Sequence, residues 1–162
     1  MYEKESLSPD FVDAKRLGST FSEENIAKLY QNLDRSKLPV IPYNASIDEL
    51  NRLAEHIAGQ YAYLQNSFGV LKAAERKYDR ERQRAFSKAY RNAEQKVAGA
   101  TQAMLKMVAE ATKEVTKADD KLDDVRNRLD MMDARLKAYS ILDQDVRKLL
   151  SSEIELMRQH IE

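Results

Sequence analysis

The sequence predicts an all-α protein: a long antiparallel helical hairpin, coiled-coil-like, preceded by a short N-terminal helix and an extended linker. Three observations lead there. All three prolines (Pro9, Pro39, Pro42) precede residue 43, and the 120 residues that follow contain none. Proline removes a helix hydrogen bond and clashes with the preceding turn, so its absence lets helices run far beyond their usual length. One third of the 162 residues are charged, with 27 acids balancing 27 bases; such Ala-, Glu-, Lys-, Leu- and Arg-rich composition belongs to long helices. From Ser46 onward, apolar residues recur at alternating steps of three and four, which is the seam of a coiled coil. Residues 1–45 therefore form an N-terminal extension, and residues 46–162 the hairpin.

Residues 1–20 are polar and weakly patterned, with Pro9 and Gly18, and are expected to be flexible or partner-dependent. A short helix follows, capped by Thr20 or Ser22, with Glu23 and Glu24 complementing its dipole. Ile26, Leu29, Tyr30 and Leu33 give it one apolar edge, and it ends near Asp34. Leu38-Pro-Val-Ile-Pro-Tyr43 leaves helical geometry, because each proline pushes its predecessor toward extended backbone. Its Pro-x-x-Pro spacing matches ligands of aromatic grooves, but four apolar side chains favour a strap pinned on the helices.

Ser46-Ile-Asp-Glu49 is a capping box. The first long helix then carries Ile47, Leu50, Ala54, Ile57, Tyr61, Leu64, Phe68, Leu71, Ala74 and Tyr78 on its seam. The seam continues through the smaller Ala85, Ala89, Ala93 and Val97. Gly59 and Gly69 each cost about 1 kcal/mol in a helix, too little to break it. Gly99 is the expected point of reversal, with Thr101 capping the next helix. In that helix Met104, Val108, Ala111, Val115, Ala118, Leu122, Val125, Leu129, Met132, Leu136 and Tyr139 alternate four and three without a miss. A repeated step of three to Leu142 predicts a bend near Ser140. Beyond it the seam resumes at Val146, Leu149, Met157 and Ile161. At 1.5 Å per residue each arm is roughly 75–90 Å long.

Catalysis finds no foothold, and no enzyme, cofactor or metal is expected. Cysteine is absent. His56 and His160 have no catalytic neighbour and suit surface or helix-end positions. Asp119, Asp120, Asp123 and Asp124 lack the glycine turn of a calcium loop. Lys117, Lys121, Arg126 and Arg128 lie at helix-pairing distance from them and predict a solvated ion-pair face. No glycine-rich phosphate loop or nucleophile elbow is present. No apolar run reaches membrane-span length, and the N-terminus lacks signal-peptide pattern, so a cytoplasmic protein is expected.

The charge is unevenly spread. Between Lys72 and Lys96 nine bases face four acids, a local excess of five, whereas residues 97–162 hold eleven bases and thirteen acids. Tyr78, Phe86 and Tyr90 interleave with the bases. Cations for phosphates and ring faces for bases are the means of holding a single-stranded polyanion. The competing reading is an Arg/Glu mixture that merely solvates a long helix. Because two helices side by side bury a stripe and not a ball, further burial is expected from other subunits. The expected interface is the distal seam of the second helix: Leu129, Met132, Leu136, Tyr139, Leu142, Val146, Leu149 and Met157. A ring of subunits multiplies modest charge patches through avidity.

Residues 44–160 resemble the UvsY-type recombination mediators of tailed bacteriophages. The resemblance rests on the capped helix Ser46 to Leu71 and the basic run Arg82-Gln-Arg-Ala-Phe-Ser-Lys-Ala-Tyr-Arg91. It continues in a second helix opening Met107-Val-Ala-Glu-Ala-Thr-Lys-Glu-Val-Thr-Lys-Ala-Asp119, and it is one of pattern, without an invariant motif. It implies a ring-forming helical protein that binds single-stranded DNA and helps load a RecA-like recombinase in place of single-strand binding protein. A Lys-Ala-Arg stretch contributes to DNA binding in that family. Lys88-Ala89-Tyr90-Arg91 matches it, with tyrosine in place of the arginine; Lys88 carries over directly, and Arg91 stands one residue further round the helix.

The expected nucleic-acid site is thus Arg76, Lys77, Arg80, Arg84, Lys88, Tyr90, Arg91 and Lys96, acting by electrostatic and stacking capture. Two rivals remain. One is a coiled-coil adaptor, scaffold or assembly chaperone with a protein partner and no nucleic acid. The other is a membrane-surface helical dimer, disfavoured because Asp79 and Glu81 interrupt the basic face and no bulky apolar wedge accompanies it.

Overall fold

The computed structural model describes residues 22–159; the expectations for residues 1–21, including Thr20 as a cap, and for His160 and Ile161 lie outside them. The described residues form four helices and no strand: α1 (Glu23–Arg35), α2 (Ile47–Lys96), α3 (Gln102–Glu110) and α4 (Lys113–Gln159). The two long helices, α2 and α4, pack against each other as an all-α hairpin.

Local chemistry sets the helix ends. The Asn25 amide donates to the Ser22 hydroxyl at 3.1 Å, so Ser22 caps α1. At α2, the Glu49 amide donates to the Ser46 hydroxyl at 3.3 Å, and the Ser46 amide donates to the Glu49 carboxylate at 2.8 Å. Both halves of the capping box are made. The Ser46 amide, followed by its hydroxyl, holds the Glu49 carboxyl below the usual carboxylate range. Gly99 turns the chain at φ +75°, a left-handed conformation that a Cβ disfavours. Thr101 then caps α3 by accepting from the Met104 amide at 3.3 Å.

The helices divide into two packing units. The first combines α1, the linker, α2 through Gly69 and α4 from Met131. Ile26, Leu29 and Leu33 of α1 are buried, as are Leu50, Ile57 and Leu64 of the expected α2 seam. Leu53, Tyr63 and Ser67 are also buried, outside that seam. A two-helix seam needs one stripe, but α1 supplies a third wall: the Asn32 amide donates to the Tyr63 hydroxyl at 3.0 Å. The Arg135 guanidinium donates to the Ser36 carbonyl and hydroxyl, tying the end of α1 to α4.

Burial within the single chain corrects the expected subunit interface. Met132, Tyr139 and Val146 are buried within the single chain, and so is Leu129 in the second unit. Leu136 and Leu142 are half-buried. Of the expected set only Leu149 and Met157 are exposed, at 42% and 57%. The linker also departs from expectation. Pro39, Ile41 and Pro42 are half-buried, while Leu38 (44% exposed), Val40 (78%) and Tyr43 (95%) are turned out, so of the four expected apolar anchors only Ile41 is pinned. α4 runs as one helix through Ser140, where the repeated step of three predicts a bend.

The second unit holds α2 from Val70, α3, and α4 through Asp130. Leu71, Ala74, Tyr78, Ala89 and Ala93 of α2 are buried, as are Val115, Leu122, Val125 and Leu129 of α4. Cross-links ascend one helix while descending the other: the Arg126 guanidinium reaches Glu75 at 3.3 Å, and Arg82 reaches Asp119 at 2.7 Å. The pair is therefore antiparallel. The single second helix expected from Thr101 onward is broken at Ala111–Thr112. Before the break the expected seam faces out, with Met104 and Val108 exposed and Leu105 and Ala109 buried instead.

Candidate nucleic-acid interface

The basic half of α2 belongs to the second unit. On this helix the core stripe runs through Leu71, Ala74, Tyr78, Ala89 and Ala93. At 100° per residue the opposite side collects Arg76, Arg80, Arg84 and Arg91, with Ser87 between them and Lys88 alongside. Arg76, Arg80, Arg84, Lys88, Arg91 and Lys96 are all exposed. None of these six has an acidic partner among the described residues.

Three of the four acids of the segment are occupied elsewhere. Glu75 accepts from Lys72 at 3.0 Å and from Arg126 at 3.3 Å, and the Lys72 hydrogen bond chiefly holds its carboxyl below the usual range. Asp79 accepts from Gln83 at 2.8 Å. Glu81 pairs with Lys77 at 3.8 Å. Glu94 alone among the four stands exposed without such a partner. The bases divide likewise. Lys77 is half-buried, and Arg82 is committed to Asp119, whose hydrogen bond raises the guanidinium pKa further.

A shallow face of α2 is lined by Arg80, Gln83, Arg84, Ser87, Lys88, Arg91, Asn92 and Gln95. It holds four cations and four neutral hydrogen-bonding side chains, with the exposed carboxylate of Glu94 on the same side of the helix three residues after Arg91. From Arg80 to Gln95 it extends about 22 Å along the helix. The neutral members were not among the sequence-derived site residues. Their signal is positional: each lies three or four residues from a ladder cation, on the same side of the helix.

The aromatic part of the expectation is corrected. Tyr78 is buried at 6% exposure, with the Lys77 and Lys121 ammonium groups 5.9 and 5.6 Å from its ring centre. Phe86 and Tyr90 are half-buried against the Ala89, Ala109 and Val115 cluster, their ring centres 6.0 Å apart. Rings that alternate with cations along the chain thus turn toward the core. What faces out is a cationic ladder without free aromatic platforms.

The Asp119–Asp124 run behaves as an ion-pair face, Asp119 taken by Arg82 and Asp124 by Arg128 at 3.8 Å. His56 is exposed on α2. No helix among the described residues is long and apolar enough to cross a membrane. No protein-family model, curated protein or solved structure matches the chain.

Proposed function

We propose that this protein binds single-stranded DNA along the outward face of α2, self-associates, and acts without bond chemistry as a recombination mediator that helps load a RecA-like recombinase. Four cations on one face of α2, Arg80, Arg84, Lys88 and Arg91, unpaired among the described residues, carry the reading; they outnumber the one exposed, unpaired acid beside them, Glu94. Unpaired guanidinium and ammonium groups are strong phosphate donors, and the intervening amides and hydroxyl add neutral hydrogen bonds to the same strand. Capture is electrostatic, because the neighbouring rings are committed to the core. The mediator role rests on the resemblance of the basic helix to UvsY-type proteins, in which Lys88 holds the matching position.

One subunit offers about five phosphate contacts, from Arg76, Arg80, Arg84, Lys88 and Arg91. At roughly 0.7 per phosphate on a single strand, the slope of log affinity against log salt is about −3.5 per subunit. Such binding is weak at physiological salt unless subunits combine. The last turns of α4 supply a surface for that: Leu149, Ile154, Leu156 and Met157 are exposed apolar residues. The same surface is the observation favouring the adaptor reading, in which a different protein covers it.

Titration of a fluorescent oligonucleotide at two salt concentrations, with solution mass followed in parallel, separates the two. Replacing Arg84, Lys88 and Arg91 by alanine is expected to weaken binding and to reduce the salt slope by about 2. Unchanged affinity in the triple variant, or no binding by the parent protein at low salt, rejects the proposal in favour of the adaptor.

A further inference from the structure

The break between α3 and α4 is not made by a glycine or a proline. No glycine or proline lies between Ala100 and Gln159, and the usual helix breakers are those two residues. The three–four alternation of Met104, Val108, Ala111, Val115 and Ala118 crosses the break without a change of phase. Yet the structure interrupts the helix at Ala111–Thr112, where the Thr112 amide bonds back to the Ala109 carbonyl at 3.2 Å and its hydroxyl to the same carbonyl at 2.8 Å. On the far side of that break Leu105 and Ala109 point inward, and Met104 (55% exposed), Met107 (71%) and Val108 (48%) point out. This short helix therefore carries two overlapping apolar stripes, one buried by the observed packing and the other in phase with the seam of α4.

We propose that residues 102–112 are a two-register segment. In the observed register α3 is a separate helix, with Leu105 and Ala109 inward. In the second, α3 and α4 join into one helix from Gln102 to Gln159, and Met104, Val108 and Ala111 complete the seam against Ala93 and Ala89. Exchange between them swaps one set of apolar contacts for another of similar size, so the two lie close in free energy, as a bistable element requires. The exchange also changes which side chains cover Phe86 and Tyr90, which now pack on the cluster containing Ala109. The inference stands independently of nucleic-acid binding, since it uses only the apolar side chains and the backbone break of residues 102–112 and none of the cations of α2.

The test is a double-mutant cycle in the full chain. Leu105→Lys penalises the observed register and Val108→Lys the continuous one. Loss of one buried leucine ordinarily lowers the folding equilibrium constant by about thirtyfold or more. With two registers, each single variant is expected to lose less than about tenfold, and the double variant far more than the product of the two. Hydrogen exchange adds a direct reading. Amides 113–115 begin a helix in the observed register and lack intrahelical partners, so they should become protected in Leu105→Lys. Should Leu105→Lys fail to fold, the cycle is repeated with alanine at both positions. Multiplicative losses in that cycle, or amides 113–115 unprotected in Leu105→Ala, overturn the proposal.

Discussion

Arg82 and Arg84 carry the same charge two positions apart on α2 and have opposite fates. Arg82 leans to Asp119 at 2.7 Å, both side chains about one-third exposed; Arg84 stands on the open face. Screening limits such a half-exposed pair to about 1 kcal/mol. Arg82→Ala is therefore expected to lower stability by up to about 1 kcal/mol and leave the salt slope of oligonucleotide binding unchanged. Arg84→Ala should leave stability within about 0.5 kcal/mol and reduce that slope by about 0.7. Denaturant titration and binding at two salts read both. Tyr139 provides a pH signature. Burial pushes its phenol above the usual value, so the neutral form is favoured in the folded state. Its contribution is fully present below about pH 10 and lost as pH rises through the folded pKa. Among the described residues the hydroxyl gives only a long bond, to the Lys37 carbonyl at 3.4 Å. Tyr139→Phe should therefore melt close to the parent at pH 8 and lose less stability than the parent between pH 9.5 and 11.

Among the helices, the glycines separate two kinds of position. Gly59 and Gly69 lie within α2, and a Cβ at either meets nothing within 4 Å. Alanine there should raise stability by about 1 kcal/mol each, through helix propensity alone. Gly99 also has open space around it, but its φ of +75° is strained for any side chain. Gly99→Ala should destabilise by about 1 kcal/mol. Thermal unfolding followed by far-ultraviolet circular dichroism gives both signs, and stabilisation by Gly99→Ala would contradict the turn geometry. The capping box of α2 and the Ser22 and Thr101 caps follow from side chains within four residues of the helix starts, which is why they were legible in the chain. The register of α3 was not: periodicity placed Met104 and Val108 inside, and contact with Ala89 and Val115 selected the neighbouring stripe.

For the molecule as a whole, each packing unit has its own core and its own open surface. The second unit presents the cationic face of α2. The first presents Leu149, Ile154, Leu156 and Met157 at the end of α4. If that end mediates self-association, replacing Ile154 and Met157 by serine should lower the solution mass while leaving the helical signal and thermal midpoint near the parent. Val146→Ser, at a fully buried position, should instead destabilise the monomer fold by several kcal/mol. Light scattering beside circular dichroism distinguishes the two, and an unchanged mass for the first variant would remove this surface from the assembly.

Helix content, the reversal at Gly99, the caps and the excess of base in residues 72–96 could all be read from the chain, because each depends on residues near in sequence or on a period repeated many times. Periodicity also identified most seam positions from Leu50 to Tyr78 and from Val115 to Val146. It could not say what each stripe meets. That α1 and the residues after it meet the long helices, Asn32 at Tyr63, Ser36 at Arg135 and Lys37 at Tyr139, depends on residues 31 to 102 positions apart. The same holds for the cations. Sequence counts nine bases between Lys72 and Lys96, but which of them keep their charge for a ligand is settled across the helix pair. Asp119 takes Arg82, Glu75 is taken up by Lys72 and Arg126, and Arg84, Lys88 and Arg91 remain exposed and unpaired among the described residues.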